Sequence, residues 1–238
     1  MSATPCGRRS KRMAAENADV RWVEAAGAGV RVHLPKETLE GTNLFLAVGR
    51  QPNTDNVGLN SVGVETDRAG YITVDDRLQT TTKSIWAAGD IRGGPAFTHA
   101  AYEDYRVLKS QLIDDGDEER RRTVPYALFT SPELGRIGLS EAEARKAGKR
   151  IKVGKRQMTE SGKAREIGKT DGFIKVVIDA ETETILGATA LCAQGSEVVQ
   201  LFVELIHSGA KVPDIRRTIH IHPTLAEAVK NAILSALN

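Results

Sequence analysis

The stretch His220-Ile221-His222-Pro223-Thr224-Leu225-Ala226-Glu227 sets an imidazole, a backbone-fixing proline and a carboxylate side by side at the mouth of a helix. Pro223 has no amide hydrogen, fixes its own φ and biases His222 toward extended backbone. Thr224 followed three residues later by Glu227 fits a capping box. Ala226, Val229, Ala232, Ile233 and Leu237 continue with helical spacing, which predicts a helix over 224–237. Two readings stand side by side. In one, Glu227 caps the helix and His222 is a packed loop residue, since histidine-carboxylate pairs often serve structure alone. In the other the pair handles protons, because an imidazole titrates near neutral pH and a carboxylate fixes its tautomer and stabilises its charged form. One carboxylate has enough acceptor sites for both tasks.

Upstream of this stretch, apolar runs predict strands near Ala127, Arg136, Val153, Val176 and Ala188, separated by turns or by one short helix at Glu141 to Ala147. A helix from Ser196 to Ser208 follows. Several strands followed by helices on one face describe an α+β domain with an antiparallel sheet. Val198, Val199, Leu201, Phe202, Leu205 and Ile206 cover more than a narrow stripe of the 196–208 helix, so it is either deeply buried or shared with a subunit contact.

Earlier in the chain, Ile85-Trp86-Ala87-Ala88-Gly89-Asp90 reads as a buried strand whose tip presents a carboxylate beside a residue without Cβ, where a ligand can approach. A turn at Gly93-Gly94-Pro95 leads to a helix from Thr98 to Leu112. Its free amides and positive dipole end suit an electron-rich group. The plainer reading is a strand-turn-helix unit with a solvated Asp90. Leu44 to Val48 and Tyr71 to Asp75 also read as strands. Asp114 to Arg122 reads as a solvated charged linker.

Ala47-Val48-Gly49-Arg50-Gln51-Pro52-Asn53-Thr54, then Thr80 with Ile85 to Asp90, then His222-Pro223-Thr224 with Glu227, occur in that order. Val124 to Glu133 and Gly138 to Glu141 lie between. Together they resemble the flavin-dependent pyridine nucleotide-disulfide oxidoreductases, the family of dihydrolipoamide dehydrogenase, glutathione reductase and mercuric reductase, from roughly Gly29 to the carboxyl end. The resemblance implies FAD as cofactor and NAD(P)H as electron donor. It implies that Asp90, next to Gly89, binds the ribityl chain, and that the backbone around Thr98, His99 and Ala100 faces the flavin pyrimidine edge. It implies that His222, oriented by Glu227, exchanges a proton with a thiol on the other subunit of a homodimer. On this basis residues 1–19 are expected to be a disordered leader, 20–48 a remnant of the NAD(P)-binding domain, 49–122 the returning segment of the FAD-binding domain, and 123–238 the dimerisation domain.

The sequence also departs from the full pattern. No G-x-G-x-x-G opens the chain; Gly27-Ala28-Gly29 is followed by the alternating Val30-Arg31-Val32-His33-Leu34 and reads as a turn. The only cysteines, Cys6 and Cys192, are far apart, and Cys192 belongs to a core strand. The chain therefore reads as the carboxyl-terminal half of such an enzyme, expected to bind FAD weakly or not at all alone. It has no vicinal cysteine pair at Leu237-Asn238, which disfavours mercury as substrate. A non-catalytic dimerisation or partner-binding module is the alternative. A metal site from His207, His220 and His222 is disfavoured, because alternate residues of an extended segment point to opposite faces.

Composition sets outer bounds. At 238 residues, 40% hydrophobic and 27% charged, the chain can build one large or two modest domains. A formal net charge of +2 gives no reason to propose nucleic acid. Arg8, Arg9, Lys11 and Arg12 read as part of the leader. No membrane span or secretory signal is legible, and two unpaired cysteines fit a reducing, cytoplasmic setting.

Overall fold

The computed structural model describes residues 19–114, 116, 118–120 and 123–237. The expected leader (save its last residue), its basic cluster and Cys6 lie outside the described residues. The chain divides into two compact units, one reaching Gln51 and one running from Pro52 onward.

In the first unit, β1 (Trp22–Ala26), β2 (Gly29–His33) and β3 (Thr38–Gly41) form an antiparallel meander. Gly27, at φ 60°, makes the turn between β1 and β2. Trp22 stacks on His33 at 4.2 Å, and Arg31 pairs with both Glu24 and Glu40. The strand expected at Leu44 to Val48 does not form. No described strand pairs with it, and Phe45 and Val48 are each 90% exposed, so the run lacks the ladder that would hold it extended.

The centre of the second unit is a sheet of β4 (Tyr126–Leu128), β5 (Glu133–Gly138), β6 (Ile151–Gln157), β7 (Phe173–Asp179) and β8 (Ile185–Cys192), in the order β4-β5-β8-β7-β6, antiparallel throughout. All five fall where the sequence predicts strands. After β5 the chain crosses through α2 (Glu141–Lys146) to the far edge and returns as a meander to pair β8 with β5. Two helices cover one face. α4 (Gly195–His207) lies on β5 and β8, and α6 (Glu227–Leu234) on β6 and β7. Both approach closely because the strands carry glycine beneath them. A Cβ on Gly135 would lie 2.3 Å from Gly195 O, and one on Gly154 would lie 2.0 Å from Ala232 O. Phe202, Ile174, Val176, Val199, Val229 and Ile233 form the centre of the core between these layers.

Two expectations change here, and an open alternative narrows. The helices are not all on one face. Lys175 and Arg136 alternate with core residues and reach Glu141 and Glu143 of α2, which therefore lies on the opposite side of the sheet. A second short helix, α3 (Gly162–Glu166), capped by Ser161, stands between β6 and β7. The apolar breadth of α4 mostly meets the core: Val198, Val199 and Phe202 are buried, and Leu201 is the most exposed of that set, at 38%.

Residues from Pro52 to α1 (Thr98–Leu112) form no continuous strand. The strands expected at Tyr71 to Asp75 and Ile85 to Asp90 are isolated bridges instead, Thr66 with Ile72, Val74 with Thr80, and Gln79 with Trp86. Asp67 and Asp75 each accept two backbone N–H groups, turning the chain too often for a ladder to build. Val64, Ile72 and Ala87 make a small separate core. The described part of the charged linker is held to its surroundings rather than loose: Asp114 pairs with Lys109, Glu118 with Arg106, and the Arg120 N–H donates to Asp76 O.

Candidate active site

The segment carrying His222 leaves α5 (Val212–Arg217) and runs extended into the turn before α6. Its course is fixed at both ends. Lys230 of α6 donates to Thr218 O, and Thr224 Oγ1 donates to Ile221 O at 2.9 Å. The His222–Pro223 peptide bond is cis. Thr224 Oγ1 also accepts the Glu227 N–H at 3.1 Å, one half of the expected capping box. The reciprocal half is replaced. Helix α6 begins only at Glu227, and the Glu227 carboxylate turns to His222, with Oε2 2.8 Å from Nδ1. Glu227 thus sits in the first turn of α6, where the helix dipole favours its negative charge.

The His222 ring is 71% exposed and its partner carboxylate 28%. Nδ1 facing a carboxylate assigns the proton to Nδ1, which leaves Nε2 as an acceptor turned away from Glu227. Gly162, the first residue of α3, lies beside the ring: a Cβ there would be 3.6 Å from His222 Cε1 and 3.8 Å from Pro223 Cβ. Nothing in the sequence pattern pointed to Gly162, because α3 itself was not legible. In the segment just before the pair, Ile219 is 95% and Ile221 79% exposed.

The other imidazoles do not join His222. His220 buries its Nδ1 without a hydrogen-bond partner, whereas His222 faces outward. No group of three or more His, Cys, Asp or Glu among the described residues could hold a metal ion. Cys192 is buried in β8, and desolvation pushes its thiol up to about 11, so it is a core residue and not a nucleophile.

Gly89 and Asp90 begin a 3-10 turn, Gly89–Arg92, instead of ending a strand. Gly89 has φ 76°, which glycine adopts without strain, and its N–H donates to Asp104 Oδ2 at 2.7 Å. Asp104, fully buried on the inner face of α1, also takes both arms of the Arg92 guanidinium at 2.6 and 2.7 Å. This buried bidentate pair clamps the turn that presents Asp90 to solvent. Sequence reasoning passed over it. The signal was present: Asp104 falls with Ala100 and Val107 on the inward stripe of α1, where an acid requires a partner.

At the head of α1, Phe97 stands at the N-cap without a side-chain cap, so the first-turn amides of Thr98, His99 and Ala100 have no capping partner from the helix. The His99 side chain turns the other way. Its Nε2 lies 2.6 Å from Pro125 O, and its ring stacks on Phe97, which stacks in turn on Tyr126 of β4. His99 thus ties the start of α1 to the segment leading into β4. A cavity of about 540 Å³ opens between α1 and α4, lined by His99, Glu103, Arg106, Val203 and His207 among others; neither Asp90 nor His222 lines it.

Residues 124–233 match the pyridine nucleotide-disulphide oxidoreductase dimerisation domain, and residues 11–104 match pyridine nucleotide-disulphide oxidoreductase. Curated relatives include the probable pyridine nucleotide-disulfide oxidoreductase RclA of Escherichia coli, 33% identical over 217 residues, 90% of this chain and 49% of that protein. The dihydrolipoyl dehydrogenase of Thermus scotoductus is 37% identical over 216 residues, 88% of this chain and 44% of that protein. Among solved structures, a Cu(II) complex of the HOCl-induced flavoprotein disulfide reductase RclA from Escherichia coli superposes with a TM-score of 0.84 at 32% identity, covering 90% of this chain and 50% of that one. LpdA of Mycobacterium tuberculosis superposes with a TM-score of 0.86 at 25% identity, covering 92% and 48%. The chain spans about half the length of the relatives it matches. With both matched regions in order and the antiparallel domain at the carboxyl end, the chain belongs to the pyridine nucleotide-disulphide oxidoreductase family.

Proposed function

We propose that this chain supplies the carboxyl-terminal part of an FAD-dependent NAD(P)H:disulfide oxidoreductase, contributing Asp90 to flavin binding and His222 with Glu227 as the acid/base pair. The observation that carries this reading is the 2.8 Å contact between His222 Nδ1 and Glu227 Oε2 on a ring that faces outward. The residues around Asp90 fit one edge of a flavin. An exposed carboxylate stands on a clamped turn, and the uncapped amides of Thr98, His99 and Ala100 suit an electron-rich ring edge. When bound, FAD would supply the relay of electrons between nicotinamide and disulfide.

His222 Nε2, left unprotonated by the Nδ1–H to Glu227, takes the proton of an approaching thiol; the thiolate so formed is the nucleophile, and the Glu227 carboxylate stabilises the imidazolium. In the reverse direction Nε2–H returns the proton to the leaving thiolate. Exposed Ile219 and Ile221 just before the pair, and exposed Phe129 after β4, suit a homodimer in which His222 serves the second subunit's site. In this reading 20–48 belongs to the nucleotide domain, 49–122 to the flavin domain and 123–238 to the dimer interface. The test is complementation. Mixed with a separately produced amino-terminal half of a relative, which carries the flavin glycine loop and dithiol, this chain should restore NAD(P)H-driven disulfide reduction. No activity with the intact chain, in a mixture that forms a flavin-bearing complex, would reject the proposal.

A further inference from the structure

Beyond the flavin and thiol chemistry, one cavity has an unusual charge arrangement. α5 ends in Arg216 and Arg217, and both line a cavity of about 480 Å³ with Glu183, Val212, Pro213 and Leu237. Among the described residues neither guanidinium has a hydrogen bond or an ion pair. Cations at a helix carboxyl end are favoured by its dipole. That preference does not account for two successive arginines lining one cavity, neither of them paired among the described residues. Pro213 and Leu237 are the apolar side of the lining, over the buried Val212. Glu183 is the single carboxylate of the lining, held on the turn before β8 at φ 60° with its O accepting the Val212 N–H.

We propose that this cavity is a binding site for a small phosphate-bearing molecule. Guanidinium forks match the geometry of phosphate oxygens and bind them bidentately, and two in one concavity raise the local potential for an anion. The cavity volume is in the range of small-molecule sites, roughly 300–1,000 Å³. Pro213 and Leu237 receive the uncharged body, and Glu183 accepts from a ligand hydroxyl and repels a second anionic group.

The proposal is tested on the full chain by calorimetric titration with inorganic pyrophosphate and, separately, adenosine monophosphate. Both should bind saturably and more weakly as salt is raised. Arg216→Gln with Arg217→Gln should lower affinity at least about tenfold, the loss expected when charge-assisted bonds are removed. Both side chains are exposed, so the melting curve should stay unchanged and separate this from unfolding. Arg216→Lys with Arg217→Lys keeps the charge but not the fork, and should retain part of the affinity. Glu183→Gln should tighten pyrophosphate by up to roughly fivefold, as one opposing half-buried charge is removed. Absence of saturable binding, or equal affinity in the double Gln variant, would overturn the proposal.

Discussion

The sheet domain after residue 123 and the segment between Pro52 and α1 have similar hydrophobic runs but are stabilised differently. The first closes a core of Phe202, Ile174, Val229 and their neighbours between an unbroken ladder and two helices. The second has only Val64, Ile72 and Ala87 clustered at its centre, with Leu78 buried apart from them, isolated bridges in place of strands, and the Arg92–Asp104 pair. A ladder with a covered face is stabilised by apolar burial. A segment without one depends on a few polar clamps, whose loss is local and severe.

Breaking each region at its centre should expose that contrast. Phe202→Ala removes the largest fully buried side chain and should cost about 3–5 kcal/mol, seen as an earlier urea transition of the whole sheet domain. Asp104→Asn leaves the Arg92 guanidinium buried without its counter-charge, at a cost of about 3 kcal/mol. The damage should stay local. Hydrogen exchange should accelerate across residues 87–112 while β5, β7 and β8 keep their protection. A common loss in both regions would mean that the segment is not held by its own clamp.

A smaller effect sharpens the account of the sheet core. The Cys192 thiol is pushed up to about 11 by burial, so its protonated form is favoured in the folded chain. The unfolded thiol ionises near about 8.5, so stability is full below that pH and falls as pH rises toward about 11. Cys192→Ala, in a Cys6→Ser background, should flatten this alkaline slope. In the same background an aromatic disulfide reagent at pH 8 should label the native chain only as fast as it unfolds.

The same contrast explains what could be read from sequence. All five strands of the sheet domain form where the sequence places them, and the helices expected at 98–112, 141–147 and 196–208 form within a residue of those bounds, because there the local pattern and the tertiary partner agree. Leu44 to Val48, Tyr71 to Asp75 and Ile85 to Asp90 carry strand composition without a partner strand, and composition cannot reveal that. The His222–Glu227 contact was legible because both residues lie within one turn of chain. Arg92–Asp104 spans a turn and a helix, and Gly162 meets His222 from a remote element, so neither contact shows as a spacing. The competition for Glu227 between helix cap and imidazole could be posed from sequence but was decided only by geometry.

Under the proposed function, His222, held by Glu227, moves a proton for sulfur chemistry and for nothing else. Rapid mixing of the complemented protein separates its two half-reactions. His222→Gln should slow thiol-disulfide exchange by roughly a hundredfold to ten-thousandfold and leave electron transfer from the nicotinamide nearly unchanged, with Glu227→Gln costing less. Equal slowing of both half-reactions by His222→Gln, or no slowing of either, would contradict the account.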